Sequence, residues 1–310
     1  MIKDLVSIVI PTYNRKEIIG DAVECALRQT YKKKEIIIVD NHSSDGTYEF
    51  LMNRYSDNCI VKIYRNDANL GPVRNWKKCL EFSSGEYCKI LWSDDLMEDE
   101  FIEKAVKVLQ DKTDVAFVYS KVSITRVGAT RQYGKTYYSL GQTGKYKKDV
   151  FLEKMCKKNG AAPVSPGCAL FRTKDIRIIE EIPNNFDIDY LSTGAGPDVL
   201  ILLLATVDYQ YIYYIDEVLN YFRAHSGSIS YSGVDLYYSY LTAKFYFFNL
   251  VSHNKKYRKM LLENVVQHCI YENKKLREIY LITKKCDKTM IFSEFILLYL
   301  KKMREYIEDD

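Results

Sequence analysis

No apolar run in this sequence approaches the ~20 residues that a bilayer span requires. The best stretch, Val199 to Val207, is short and follows a Pro-Asp pair. The opening residues, MIKDLVSIVI, carry an acid and lead into a strand-like run, which is not the order of a secretory leader. Eight cysteines are scattered, with no C-x-x-C pair and no Cys/His cluster at zinc spacing. These absences predict a soluble cytoplasmic protein with reduced thiols, or one held peripherally at the inner face of a membrane. Several familiar loops are missing too. Gly128 to Thr136 reads GATRQYGKT, but five residues separate its glycines where a phosphate loop has four. Gly194-Ala195-Gly196 lacks the third glycine of a dinucleotide fingerprint and does not follow a first strand. No G-x-S-x-G elbow occurs.

Charge of one sign is also scarce. The net charge is +4, and residues 251–310 hold 13 Lys/Arg against 9 Asp/Glu, so the excess sits in the tail. A main domain without net positive charge argues against a nucleic-acid partner. The basic tail predicts helices that pack partly on the main domain and present a basic face, either as solvated lysines beside a core-facing stripe or as a peripheral contact with an anionic membrane surface.

What is present is a chain of 310 residues, long enough to bury a sizeable core as one large domain or a domain with an appendage. Its first 120 residues alternate between two periods. Leu5–Ile10, Glu35–Val39, Ile60–Tyr64, Tyr87–Leu91 and Val115–Tyr119 are short, apolar and rich in β-branched or aromatic residues. Helix-length stretches fall between them, at roughly 16–28, 47–55, 71–83 and 98–110. Strand and helix in alternation predict a mostly parallel sheet with helices on both faces, all strands ending on one edge where ligands bind. Residues 121–147 predict a hairpin or loop, 148–158 a helix, 163–172 a strand and 174–181 a helix. Pro197 opens a further helix. Strands are expected near 211–215 and 217–223, then helix from about Val234 to the end.

Three predicted strands end in polar clusters: Pro11-Thr12-Tyr13-Asn14-Arg15, Asp40 to Thr47, and Ser93-Asp94-Asp95. Turn and cap chemistry accounts for any one of them. Three on one edge converge on one crevice. Asp94 and Asp95 are adjacent carboxylates that repel, and a hard divalent cation would relieve them.

The motifs SIVIPTYNR (7–15), VDNHSSDGT (39–47), NLGPVRNW (69–76), GEYCKILWSDD (85–95), GPDVLI (196–201) and YFRAHSGSIS (221–230) resemble glycosyltransferase family 2. The resemblance covers about residues 5–230 and implies a GT-A fold, a three-layer α/β/α arrangement, over 1–230, with a C-terminal helical region over 231–310. It implies a nucleotide-sugar donor, usually of UDP. Pro11, Thr12, Tyr13, Arg15, Asp40, Asp45, Arg74, Asn75, Ser93, Asp94 and Arg223 would surround that donor. Asp40 would accept a hydrogen bond from the base, and Asp45 would brace its loop. Asp94, Asp95 and His225 would hold Mn²⁺ or Mg²⁺, with Arg223 and Ser228 assisting. Asp198 would be the catalytic base. One departure stands out: many relatives carry Asp-x-Asp, and here the leading position is Trp92, one carboxylate fewer.

These parts suit an inverting transfer of a sugar to a hydroxyl of a glycan or lipid-linked glycan, as in building bacterial surface polysaccharide. A catalytically inactive nucleotide-sugar-binding module of a larger assembly is the alternative. A sugar-phosphate nucleotidyltransferase would want a Gly-rich basic loop after the first strand, where this chain has Pro-Thr-Tyr-Asn-Arg.

Overall fold

In the computed structural model, residues 1–126, 135–157, 162–183, 186–225, 236–288 and 290–309 are described. The first part runs β1 (Ile2–Thr12), α1 (Ile19–Arg28), β2 (Lys34–Asp40), α2 (Thr47–Tyr55), β3 (Val61–Arg65), α3 (Pro72–Glu81), β4 (Gly85–Ile90), β5 (Leu96–Met97), α4 (Phe101–Asp111) and β6 (Val115–Arg126). It continues through β7 (Lys135–Tyr137), β8 (Gly144–Lys147), α5 (Lys148–Met155), β9 (Ala169–Arg172), α6 (Tyr190–Thr193), α7 (Pro197–Ala205) and β10 (Tyr211–Ala224). Four helices follow: α8 (Tyr237–Tyr246), α9 (Lys255–Tyr271), α10 (Leu276–Cys286) and α11 (Phe292–Asp309).

The strands form one sheet in the order β3-β2-β1-β4-β9-β6-β10-β5, with β7 added to β6 and β8 to β10. Strands β3, β2, β1 and β4 are mutually parallel; β9 pairs antiparallel with both β4 and β6, and β10 is parallel to β6. The direction of chain progression reverses between β1 and β4, the switch point at which open α/β sheets bind ligands.

Period-two alternation separates the two faces. Val6, Ile8, Ile10, Ile36 and Ile38 point to one side, packing with Ile19, Val23, Phe101 and Val106 of α1 and α4. Val9, Ile37 and Val39 point to the other, toward Val73 and Trp76 of α3 and residues of α7. Helix α7 is buried along its whole length and packs on α8. One hydrophobic cluster continues from Val9 and Phe117 through Leu200 to Val265 and Phe295, so α8–α11 share the core of that face. Among the described residues no helix is long and apolar enough to cross a membrane.

Three local expectations are corrected. Residues 174–181 form no helix beyond one 3-10 turn at Thr173–Asp175. Four β-branched isoleucines in 176–182 resist helix, and the polar residues between them reach outward, Arg177 to Asp208 and Glu180 to Arg74 and Lys77. Strand pairing in 163–172 is confined to Ala169–Arg172, because Pro166 and Gly167 make a 3-10 turn capped by Ser165. The two strands expected at 211–215 and 217–223 are one, with a register slip against β6 between Ile215 and Val218. The slip frees Asp216 and Glu217 for Lys121 and Lys104, which accommodates two adjacent acids without ending the strand.

Candidate active site at the carboxyl edge of the sheet

The ends of β1 and β2 lie side by side, with Thr12 in register with Asp40. Asp40 is fully buried; its Oδ2 accepts from the Ser43 backbone N–H at 2.9 Å and lies 3.6 Å from Arg65 Nε. Its Oδ1 is buried without a partner, as is Thr12 Oγ1. A buried acceptor left unmet costs about 1–3 kcal/mol, so this pair marks a place where a ligand's donor would be favourable. The loops around it are braced. Asn14 and His42 adopt left-handed backbone, with Asn14 Oδ1 accepting from Ser44 N–H and Ser43 Oγ from Asn14 N–H. Asp45 ties the second loop to the first by accepting from Thr47 and from Lys16 N–H.

The expected neighbours on α3 are used differently. Asn75 is buried and donates to the Val39 carbonyl at 3.1 Å, while accepting from Asn66, so it pins the end of β2. Arg74 is half exposed and paired with Glu180 at 3.1 Å, outside the residues that line the cleft. Its guanidinium is drawn to that acid on the 176–182 segment, a pairing between residues distant in sequence.

After β4 the chain turns at Ser93, Asp94 and Asp95. Asp94 Oδ2 lies 2.9 Å from His225 Nε2, and both side chains keep some exposure. Asp95 is buried and its Oδ1 accepts the Arg223 backbone N–H at 3.0 Å. Burial pushes the Asp95 carboxyl well above the usual range, and the charge of Asp94 adds to it. Arg223 donates to the Asp94 carbonyl, to Asp21 Oδ2 at 2.5 Å and to the Ile18 carbonyl at 3.2 Å. All three guanidinium nitrogens thus bind protein groups, and Arg223 locks the aspartate turn to the start of α1. Ser228 lies outside the described residues.

Across the cleft, Gly196 (φ 106°) and Pro197 start α7, whose first turn carries Asp198. Oδ1 accepts from Gly196 N–H at 2.8 Å and Val199 N–H at 2.7 Å; Oδ2 accepts from Tyr240 Oη at 3.0 Å. Burial outweighs these hydrogen bonds and pushes the carboxyl up to about 7. That value suits a group that must accept a proton near neutral pH. The cleft, about 520 Å³, is lined by Pro11, Arg15, Ser93, Asp94, Asp95, Asp198 and Arg223. Thr12, Tyr13, Asp40, Asp45, Asn75 and His225 lie outside that lining. Trp76, Trp92, Tyr138 and Tyr240 line it as well, and sequence reasoning gave none of them a role in binding or catalysis. Tyr240 meets Asp198 only through packing of α8 on α7, for which the sequence carries no local signal.

The family model for glycosyl transferase family 2 matches residues 7–179, more than half of the chain. This chain belongs to glycosyl transferase family 2. Among characterised relatives it is similar to the abequosyltransferase RfbV of Salmonella typhimurium, 35% identical over 116 residues covering 36% of this chain and 34% of RfbV. It is also similar to the Escherichia coli WfaP, a UDP-Glc:α-D-GlcNAc-diphosphoundecaprenol β-1,3-glucosyltransferase, 36% identical over 123 residues, 40% of this chain and 48% of WfaP. The match thus spans between a third and a half of these relatives. Staphylococcus aureus TarS, residues 1–349 with UDP-GlcNAc, superposes with a TM-score of 0.67 at 17% identity over 98% of this chain and 92% of that one. The fold is therefore of GT-A type, as the motifs implied, with a C-terminal helical extension, as the helical pattern after Val234 implied.

Proposed function

We propose that this family 2 member is an inverting glycosyltransferase. It moves a sugar from a nucleoside diphosphate, UDP in preference, to a hydroxyl of a glycan or lipid-linked glycan in building bacterial surface polysaccharide. The observation that carries the reading is Asp198, a buried carboxyl raised to about 7 and held in one cleft with Asp94, which pairs with His225. Asp198 takes the proton of the attacking hydroxyl. Both of its oxygens accept hydrogen bonds, which holds it as a base and blunts it as a nucleophile, so attack is single and inverts the anomeric carbon. At the paired ends of β1 and β2, next to the cleft residue Pro11, Asp40 Oδ1 and Thr12 Oγ1 are buried, unmet acceptors that the N–H of a base would satisfy. WfaP by its name uses a UDP-sugar and a diphosphoundecaprenol acceptor, and TarS was solved with UDP-GlcNAc, which supports the same substrate classes here.

Mn²⁺ or Mg²⁺ fits the converging oxygen and nitrogen of Asp94 and His225. Among the described residues no third His, Cys, Asp or Glu completes a metal cluster, so diphosphate oxygens and water would fill the remaining positions. When bound, the ion neutralises charge on the leaving diphosphate. Asp95, committed to Arg223 N–H, orients Asp94. The test is calorimetric binding of UDP, with transfer from UDP-sugars, with and without Mn²⁺. Asp94→Asn should abolish the metal-dependent part of UDP binding. Wild-type transfer by Asp94→Asn without metal would overturn the metal assignment.

The C-terminal helices suit peripheral attachment to the inner, anionic face of a membrane, where a lipid-linked acceptor would lie. A groove of about 420 Å³ between α9 and α11 is floored by Leu262, Met290 and Leu298 and rimmed by Lys255, Lys259 and Lys301. Leu297 beside it is 71% exposed. Each lysine near such a surface adds about 1 kcal/mol. Glu263 and Glu294 in the same groove oppose this, so the association is weak and salt-sensitive. Sedimentation should show binding to anionic vesicles at low salt only. Equal binding to neutral vesicles, or to neither kind, would leave the helices as packing.

A further inference from the structure

The chain has two tryptophans, and the fold brings them together. Trp76 stands on α3 and Trp92 just beyond β4, with ring centroids 4.9 Å apart at 47°. Both line the cleft that holds Asp94 and Asp198. Trp76 is nearly covered and Trp92 half-buried. Their placement is specific. Trp92 Nε1 donates to Ser165 Oγ at 2.8 Å, which fixes the plane of the indole. The backbone behind each ring is glycine: a Cβ on Gly167 would come within 2.7 Å of Trp92 Nε1, and one on Gly194 within 2.4 Å of Trp76 Cη2. Gly194 also holds left-handed backbone (φ 71°) at the turn leading to Asp198. The rings therefore bridge the two ends of the chemistry, Trp92 two residues before Asp94 and Trp76 against the approach to Asp198.

An indole wall beside carboxylates leaves apolar surface facing hydrated groups, which is favourable only when something apolar on one side and polar at its rim covers it. A pyranose ring has that form, with C–H faces and a rim of hydroxyls. We propose that Trp92, backed by Trp76, forms a stacking platform for the C–H face of a pyranose at the reacting centre, making Trp92 a specificity-determining residue. This rests on the glycosyl-transfer reading. The ring is either the donor's sugar or the acceptor's, and the C–H face is common to both.

The test titrates wild type, Trp92→Phe and Trp92→Leu with UDP, a UDP-hexose and neutral oligosaccharides, followed by calorimetry. Wild-type tryptophan emission, which reports on these two residues alone, is a second readout. UDP affinity should stay within about twofold in all three proteins, and Trp92→Phe should keep sugar affinity within about threefold. Trp92→Leu should lose about tenfold, the effect of roughly 50 Å² of lost apolar contact. The loss falls on the gain of UDP-hexose over UDP if the ring is the donor's, and on oligosaccharide binding if it is the acceptor's. Unchanged sugar affinity in Trp92→Leu, or equal losses for UDP and UDP-hexose, would overturn the platform. So would wild-type emission that responds to neither sugar. Nucleotide binding and transfer with a sugar-insensitive Trp92→Leu defeats the platform alone. Emission shifts by oligosaccharides in a chain with no nucleotide affinity defeat the transferase reading and leave the platform standing.

Discussion

The two ends of β2 carry acids treated in opposite ways. At the amino end, Glu35 accepts from Ser7 Oγ at 2.6 Å, Ser84 N–H at 2.8 Å and Lys62 Nζ at 2.8 Å. Burial pushes that carboxyl up, yet these hydrogen bonds win and hold it at about 2. At the carboxyl end, Asp40 Oδ1 and Thr12 Oγ1 have no partner, and across the cleft burial wins over hydrogen bonding at Asp198. One edge satisfies its polar groups and holds the sheet together. The other leaves them unmet or poorly solvated, at a cost in stability, and there the ligand is expected.

The largest effect should come from the poorly solvated edge. Asp198→Asn keeps the shape and removes the base, so turnover should fall by roughly 10²–10⁴-fold while donor affinity survives. Lost affinity with turnover intact would mark Asp198 as a structural cap. Wild-type turnover should climb as pH rises through about 7, when the carboxyl gives up its proton. Stability should move the other way. The folded chain binds this proton more tightly than the unfolded chain, so the contribution of Asp198 to stability falls as pH rises from the ordinary aspartate range through about 7. The melting temperature of Asp198→Asn should exceed that of wild type at pH 8 and match it near pH 4; the reverse order would break the comparison.

At the satisfied edge, Glu35→Gln should cost about 2–3 kcal/mol of stability by disrupting a buried, charge-assisted network. Activity per folded molecule should not change. The Glu35 contribution is full above the ordinary glutamate range and is lost as pH falls through about 2. Denaturation curves of variant and wild type should therefore converge in acid. The smallest effect sharpens the contrast most. Thr12→Val removes a buried hydroxyl that has no partner, so stability should hold or rise by up to about 1 kcal/mol. UDP affinity should drop several-fold. A destabilised variant with unchanged UDP affinity would place Thr12 with Glu35, as structure.

Much of this architecture was legible in local pattern. The unbroken apolar runs Ile8-Val9-Ile10 and Ile36-Ile37-Ile38-Val39 announce strands buried on both faces, and Asp94 and Asp198 stand at element ends where the motifs place them. What could not be read is long-range. Arg223 looks like a ligand for phosphate until Asp21, two hundred residues earlier, is found beside it. Arg74 is claimed by Glu180 and Asp198 by Tyr240, in both cases through tertiary packing alone. The break expected at Asp216, between strands at 211–215 and 217–223, is a bulge in one strand, and the lysines on β6 and α4 that pair with Asp216 and Glu217 make it favourable.

Strand β9 carries a consequence for how the chain is built. Residues 2–90 complete four adjacent parallel strands, with pairings that run no further along the chain than Ile2 to Gly85. Among the described residues, the rest of the sheet joins them through β9 alone, which sets Tyr87 opposite Arg172 and Phe117 opposite Phe171. A growing polypeptide can thus pair the strands that bear Thr12 and Asp40 before β9 has left the ribosome. The helix bearing Asp198 and the strand bearing Arg223 emerge later still. Assembly from amino to carboxyl end is thus open to this chain, and a product of about a hundred residues would hold Thr12, Asp40 and Asp94 without Asp198.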